Sequence, residues 1–145
     1  LENWLIILLN TCSIGEHQGE LTADELSFLQ QTLAKHTDKH CLIALHHHPV
    51  PINSRWMDAM SLVNADAFWE ALEPFEHVRG IIWGHIHQKF EQKKRQVRLM
   101  GSPSTCLQFI PGSDEFAVDN KGPAYRKLCL KKDGSIDSNV IYLAE

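Results

Sequence analysis

Ile81-Ile82-Trp83-Gly84-His85-Ile86-His87 is an apolar run that leads into a glycine and two histidines. Leu42-Ile43-Ala44-Leu45-His46-His47-His48-Pro49 has the same form, an apolar run followed by imidazoles and stopped by a proline. Each stretch predicts a buried strand that presents histidines at its carboxyl end. Open α/β sheets bind ligands at the carboxyl ends of their strands. The two stretches therefore predict one site built from two neighbouring strand ends.

The histidines at these strand ends predict a metal site, because imidazole is a common ligand for zinc, manganese and iron. His85 and His87 are two residues apart, so on an extended backbone both rings would lie on one face. Gly84 would allow a ligand to approach the backbone closely. A polar residue at a strand end is the alternative interpretation for either histidine alone, and the paired arrangement favours metal.

The three adjacent histidines of the second stretch cannot all be ligands. His46 directly follows the strand and is the predicted ligand. His47 is expected to face the other way, towards the substrate or the surroundings of the metal. His48 is held extended by the proline after it and is expected to be structural. Asp38-Lys39-His40 has the Asp-x-His form of a dimetal motif, but it precedes the strand and is expected at the wrong edge of the sheet.

The order of apolar runs and helix signals predicts an α/β fold that opens with a βαβαβ unit. Strands are predicted at Trp4–Leu9, Cys41–Leu45 and Val78–Trp83, and the first of them is apolar on both faces, as in a buried parallel sheet. Thr22 and Glu25 form a capping-box pattern for the first helix. Asn64 is predicted to cap the second helix.

Short antiparallel strands are predicted after His87, where turn signals become frequent. The candidates are Phe90, Val97–Met100, Phe116–Val118, Tyr125–Leu130 and Val140–Leu143. Asp133-Gly134 lies between two of them and is a strong hairpin signal. The basic run Lys93-Lys94-Arg95 is expected to be a solvated turn, with a phosphate contact as the alternative.

Composition narrows the function classes. The chain has 145 residues, a net charge of -4, 43% hydrophobic and 22% charged residues, which is typical of one soluble globular domain. A nucleic-acid partner would require a cluster of positive charge, so none is expected. No apolar run reaches the length of a membrane span. Four widely spaced cysteines favour reduced thiols and a cytoplasmic location.

Four segments together resemble the calcineurin-like metallophosphoesterases, and among them the bacterial 3′,5′-cyclic AMP phosphodiesterases. The segments are His46–Pro51, Trp56–Asp58, Gly84–Gln88 and Ser102–Phe109. The resemblance implies a four-layer sandwich, with helices outside two β-sheets and a dinuclear metal centre at the strand ends. It also implies an enzyme that hydrolyses cyclic AMP to 5′-AMP with two divalent or trivalent ions, such as iron or manganese.

The resemblance assigns roles to individual residues. His46 and His85 would share one metal, and His87 would bind the other. His47 is expected to act in catalysis and substrate binding, and Cys106 to contact the substrate. The family's amino-terminal motifs, which supply an Asp-x-His, a bridging carboxylate and a Gly-Asn-His, have no suitably placed counterpart.

Residues 1–145 are therefore expected to be the C-terminal part of a metallophosphoesterase domain, inactive alone. The start Leu1-Glu2-Asn3-Trp4, without an initiator methionine, favours the same interpretation. Half a sandwich would expose a sheet face or edge, so homo-oligomers are expected. Two alternatives remain: a mononuclear hydrolase, because a histidine-only site suits a single zinc ion, and a non-catalytic assembly module.

Overall fold

The chain forms a five-stranded sheet with helices packed on one face and a two-stranded hairpin on the other. The structure is a computed structural model that describes residues 2–143. In chain order the elements are β1 (Trp4–Leu8), α1 (Ala23–Lys35), β2 (His40–Leu45), α2 (Arg55–Asp58), α3 (Ala65–Leu72), β3 (Val78–Trp83), β4 (Phe90–Lys94), β5 (Val97–Gly101), β6 (Ala124–Leu130) and β7 (Ile136–Tyr142).

The strand order is β1-β2-β3-β5-β4, and the predicted βαβαβ unit is confirmed. β1 pairs with β2, and β2 with β3, in parallel. The predicted antiparallel pairing is present between β4 and β5 and between β6 and β7. The prediction missed that β5 also pairs in parallel with β3, which makes it part of the main sheet. The carboxyl ends of β2 and β3 consequently lie side by side.

Helix α1 starts as its sequence predicts, whereas α3 does not. The Thr22 hydroxyl accepts a hydrogen bond from the Glu25 N–H at 3.2 Å, so Thr22 caps α1. Asn64 occupies the cap position of α3, but its side chain makes no cap bond there. Its amide instead bonds both backbone groups of Leu21, at 2.7 and 3.0 Å. Asn64 therefore joins the segment before α1 to the start of α3.

Two separate apolar clusters lie on the two faces of the sheet. The larger contains Leu29, Leu33 and Phe68 from the helices, packed on alternate residues of the strands. The smaller is formed by Trp4, Leu42, Met100 and Ile136, with Leu128 and Leu130 of β6 packed against it. The hairpin covers this second face only in part, since Ile6 is 45% and Leu8 73% exposed on the edge strand β1.

Arg126 joins the hairpin to the sheet. Its side chain is fully buried and pairs with Glu91 at 2.7 Å. The same guanidinium donates to the carbonyls of Phe90 at 3.2 Å and Gly101 at 2.8 Å, and to the Ser138 hydroxyl. A buried cation is tolerated when it is paired and hydrogen-bonded, and the two Nη atoms of Arg126 meet that condition, while its Nε has no partner among the described residues.

Three local predictions were wrong. Residues 46–60 are predicted from sequence to be a loop without regular structure, but they contain a helical turn, α2. The predicted strand Phe116–Val118 forms only a single bridge between Phe109 and Val118. The basic turn begins later than predicted, because Lys93 and Lys94 lie within β4. Among residues 2–143, no helix is both long and apolar enough to cross a bilayer.

Candidate metal centre

The ends of β2 and β3 bring three imidazoles together. His46 and His47 follow β2, and His85 follows β3, so the parallel pairing of these strands places them at one edge. The His47 and His85 ring centroids are 4.7 Å apart, and those of His46 and His85 are 5.0 Å apart. The His85 Nδ1 and His46 Nε2 atoms are separated by 3.2 Å. The predicted convergence of the two strand ends is present in the fold.

These three side chains have a geometry and a charge state suited to one cation. One potential ligand atom from each lies within 4.8 Å of the others. Burial, reinforced by neighbouring histidines, lowers the pKa of His47 to about 4 and that of His85 to about 3. The rings are therefore neutral near pH 7 and their lone pairs are available to a metal. The Nδ1 atom of His85 faces the Nε2 atom of His46, so these two nitrogens are the pair placed to share an ion.

Carboxylates do not take part in this group. Within the described part of the chain, the ligand-competent cluster consists of His46, His47 and His85 alone. The nitrogen-only donor set fits a single ion of the zinc type. A bridged pair of ions needs carboxylate ligands in addition, and these three residues do not provide them.

His85 and His87 do not lie on an extended backbone, contrary to the prediction. Both residues have left-handed backbone, with φ of 60° and 46°. Non-glycine residues adopt this region at a cost and are concentrated at functional sites. The chain turns immediately after β3, so the alternation of an extended strand no longer applies. His85 turns towards His46 and His47, and His87 turns towards another loop.

His87 lies beside the three-histidine group and is held by its own contacts. Its Nδ1 lies 3.1 Å from the Leu107 carbonyl, and its ring stacks on Phe109 with centroids 4.5 Å apart and planes 5° apart. Nδ1 would donate to that carbonyl, which leaves Nε2 with a lone pair for a ligand. Burial, followed by the charge of His87, lowers the pKa of His46, so the two rings interact electrostatically.

His47 faces the same site as His46, contrary to the prediction that it faces away. The strand ends at Leu45, and the following residues form bends, so strand alternation could not set their direction. The His47 Nδ1 lies 2.7 Å from the Thr11 hydroxyl oxygen. A side chain at Gly19 would meet His47, because an added Cβ would lie 2.2 Å from the same Nδ1.

Thr11 and Gly19 belong to the site, and sequence reasoning missed both. They lie in a polar loop after β1 that carries no strand or helix pattern. Their contact with His47 depends on β1 being the parallel neighbour of β2, which brings the end of β1 to the same edge. The strand order was the available signal, since a third parallel strand must also end near the histidines.

His48 is structural, as predicted. Its ring is completely buried, and its Nε2 lies 3.2 Å from the Asp58 carboxylate. Asp58 also accepts hydrogen bonds from the N–H groups of Ile52 and Ser54, at 2.9 and 3.2 Å. Asp58 is thus engaged in shaping the loop between His48 and α2. His40 starts β2 at the opposite edge of the sheet, near Trp4, as expected for Asp38-Lys39-His40.

Cys106 lies on the loop that holds His87. Its thiol is free and exposed, and the next residue, Leu107, provides the carbonyl that contacts the His87 ring. The buried side chain of Gln108 fixes this loop by bonding both backbone groups of Ser104, at 3.0 and 2.7 Å. The four cysteines, Cys12, Cys41, Cys106 and Cys129, are all unpaired thiols.

Curated relatives match nearly the whole chain. It is 41% identical over 138 residues to 3′,5′-cyclic adenosine monophosphate phosphodiesterase CpdA of Pseudomonas aeruginosa, covering 95% of this chain and 51% of that protein. CpdA of Escherichia coli K12 is 39% identical over 144 residues, covering 99% and 52%. A probable cyclic nucleotide phosphodiesterase of Psychrobacter arcticus is 42% identical over 138 residues, covering 94% and 49%. By this similarity the chain resembles the cyclic AMP phosphodiesterases of the calcineurin-like metallophosphoesterase group.

The chain spans about half the length of the curated relatives it matches. No protein-family profile matches it.

Solved structures agree with this fold. A dimetal phosphatase from Danio rerio superposes with a TM-score of 0.56 at 18% identity, covering 87% of this chain and 40% of that one. GAP50, the anchor in the inner membrane complex of Plasmodium, superposes with a TM-score of 0.58 at 13% identity, covering 98% and 50%.

Proposed function

We propose that this chain supplies the histidine side of the metal centre of a cyclic-nucleotide phosphodiesterase that converts 3′,5′-cyclic AMP to 5′-AMP. The observation that carries the proposal is the convergence of His46, His47 and His85 at one sheet edge. The relatives at about 40% identity, which are named cyclic AMP phosphodiesterases, support the substrate class.

The proposed roles follow from the contacts of each ring. His46 and His85 are proposed to hold one ion, because their facing nitrogens are 3.2 Å apart. His87 is proposed to hold the second ion through Nε2, since its Nδ1 faces the Leu107 carbonyl. His47 is proposed to act on the phosphate, and its contact with Thr11 fixes its orientation there. Cys106 is proposed to contact the substrate from the neighbouring loop.

The proposed cofactors are two metal ions such as iron or manganese. The chemistry that two such ions supply when bound is polarisation of the phosphodiester and activation of water. Oxygen-preferring ions also need carboxylate ligands. We propose that residues 1–145 are the C-terminal part of a metallophosphoesterase domain, and that the carboxylate ligands come from another part of that domain. The complete enzyme is proposed to act in the cytoplasm.

The test measures metal content and hydrolysis in the complete enzyme. We expect two ions per chain, cyclic AMP hydrolysis with added Mn²⁺, and loss of both in His46→Ala and His85→Ala variants. His36→Ala, which changes a histidine at the end of α1 away from the site, should behave as wild type. A single zinc ion per chain would support the mononuclear alternative, and a fully active enzyme without metal would contradict the proposal.

A further inference from the structure

Residues 109–118 form a small flap beside His87. The bridge between Phe109 and Val118, and the hydrogen bond from the Ile110 N–H to the Ala117 carbonyl at 2.9 Å, hold its two sides together. The Phe109 N–H also donates to the His87 carbonyl at 2.9 Å, in addition to the stacking of the two rings. The base of the flap is therefore attached directly to one histidine of the site.

The flap is anchored at its tip as well, yet it presents apolar side chains to solvent. The buried Ser54 hydroxyl donates to the Ser113 carbonyl at 2.6 Å. Phe116 is 64% exposed, and Ile110 and Val118 are also exposed. Several apolar side chains exposed on one small segment are typical of a binding site. Here the segment begins next to the histidines.

The ring of Phe116 is fixed by aromatic neighbours. Its centroid lies 5.4 Å from that of Trp56, with the planes at 82°, and 5.5 Å from that of Phe109, with the planes at 68°. Such edge-to-face contacts set the orientation of a ring. Phe116 therefore offers a positioned aromatic surface that is still largely in solvent.

The chemistry around Phe116 favours an uncharged flat group over a phosphate. Asp114 and Glu115 are exposed directly before it, and their carboxylates would repel an anion. A nucleobase is flat and uncharged, and it stacks on aromatic side chains. Two ring-to-ring distances, 4.5 Å and 5.5 Å, lead from His87 through Phe109 to Phe116. A nucleotide with its phosphate at the histidines could place its base on this ring.

We infer that the flap is a nucleobase platform, on which Phe116, backed by Trp56 and Phe109, stacks the base of the cyclic nucleotide. This inference rests on the proposed function and adds to it the residue that recognises the base. It makes Phe116 a determinant of specificity for nucleotides over other phosphodiesters, without a part in the bond-breaking step.

The kinetic test compares two substrates in the complete enzyme: cyclic AMP, and a ribose 3′,5′-cyclic phosphate that lacks the base. Phe116→Ala should raise KM for cyclic AMP roughly tenfold, since one base–aromatic stack is lost, and leave kcat nearly unchanged. KM for the base-free substrate should not change. Phe116→Tyr should keep the stack, and Phe28→Ala, which removes an exposed phenylalanine on α1, is the matched control.

An equal rise in KM for both substrates, or no rise for cyclic AMP, would overturn the platform. Failure of the wild-type enzyme to hydrolyse either substrate would count against the proposed function instead. Equilibrium binding then tests base stacking on Phe116 independently of hydrolysis. The enzyme should bind 5′-AMP roughly tenfold more tightly than ribose 5-phosphate, and Phe116→Ala should abolish that difference. Equal binding of the two ligands by wild type would refute the inference.

Discussion

The two faces of the five-stranded sheet differ in how completely the chain covers them. Helices α1 and α3 close the first face over a continuous core that contains Leu29, Leu33 and Phe68. The hairpin closes only part of the second face, and Ile6 and Leu8 remain exposed on β1. The first face is therefore covered by the chain's own helices, whereas the second leaves apolar side chains of β1 exposed. The histidine site lies at the carboxyl edge of the same sheet, and its ligand-competent group within the described residues contains histidines alone.

Catalysis should show the largest effect of this difference. The chain provides three clustered neutral nitrogen donors and no carboxylate among them in the described residues, so it should hold a dimetal centre poorly. We expect cyclic AMP hydrolysis with Mn²⁺ to be on the order of a hundredfold or more slower in the chain alone than in an N-terminally extended form. Product formation is followed by chromatography in both forms, each with and without His85→Ala. Rapid turnover by the chain alone, abolished by His85→Ala, would show that residues 1–145 need no further ligands for catalysis.

The free energy of unfolding should show the second largest effect, when a leucine is replaced by alanine on each face of the sheet. Leu29→Ala removes a completely buried side chain from the first core and should cost about 2–5 kcal/mol. Leu128→Ala removes a half-buried side chain under the hairpin, with a cost of about 1 kcal/mol because less contact is lost. Urea unfolding measures both. Equal costs would mean that the two cores are equally well packed.

Self-association should follow from the exposed part of the second face. Two copies could bury Ile6 and Leu8 against each other, and β1 also has an unpaired edge in the described sheet. We expect the chain to form dimers or larger species in light scattering. Leu8→Lys should weaken the association roughly tenfold or more, because a charge would have to be buried. Phe28→Lys places the same charge on the covered side and serves as control. A monodisperse monomer at working concentration would contradict the prediction.

The smallest expected effect is the pH dependence of stability, which reports on the buried histidines at the carboxyl edge of the sheet. In the metal-free chain the pKa values of His47 and His85 are lowered, chiefly by burial, to about 4 and about 3. The unfolded chain then binds more protons below pH 6.5, so stability falls as the pH decreases from about 6.5 towards 4. Thermal unfolding across this range should show the decline, and His85→Asn should reduce it. An unchanged melting temperature between these limits would indicate that the rings are already solvated.

The parallel half of the fold could be predicted from sequence because its signals are local. Apolar runs marked β1, β2 and β3, and Thr22 marked the start of α1 by a cap that the structure contains. The role of β5 could not be found this way, since its parallel partner β3 is set by long-range pairing. Asn64 illustrates the same limit, because its side chain bonds Leu21 and not the helix that follows it.

The histidine site was predictable in location and less so in detail. Strand ends indicated His46 and His85, which do meet. The directions of His47 and His87 depended on backbone after the strands, including a φ of 46° at His87 that no periodicity encodes. Thr11 and Gly19 gave no pattern at all, since each acts only by touching His47.

The buried guanidinium of Arg126 has a consequence for cooperativity. Its partners come from both sides of the hairpin–sheet contact: Glu91, Phe90 and Gly101 from the sheet, and Ser138 from β7. If the hairpin separated fully while the sheet stayed intact, these groups would form hydrogen bonds with water. In a partly opened contact, the guanidinium would remain buried and lose its partners, which is costly. Intermediate positions of the hairpin are therefore the least stable ones. The hairpin should leave the sheet in a single step, and the amides of β6 and β7 should therefore exchange with solvent together.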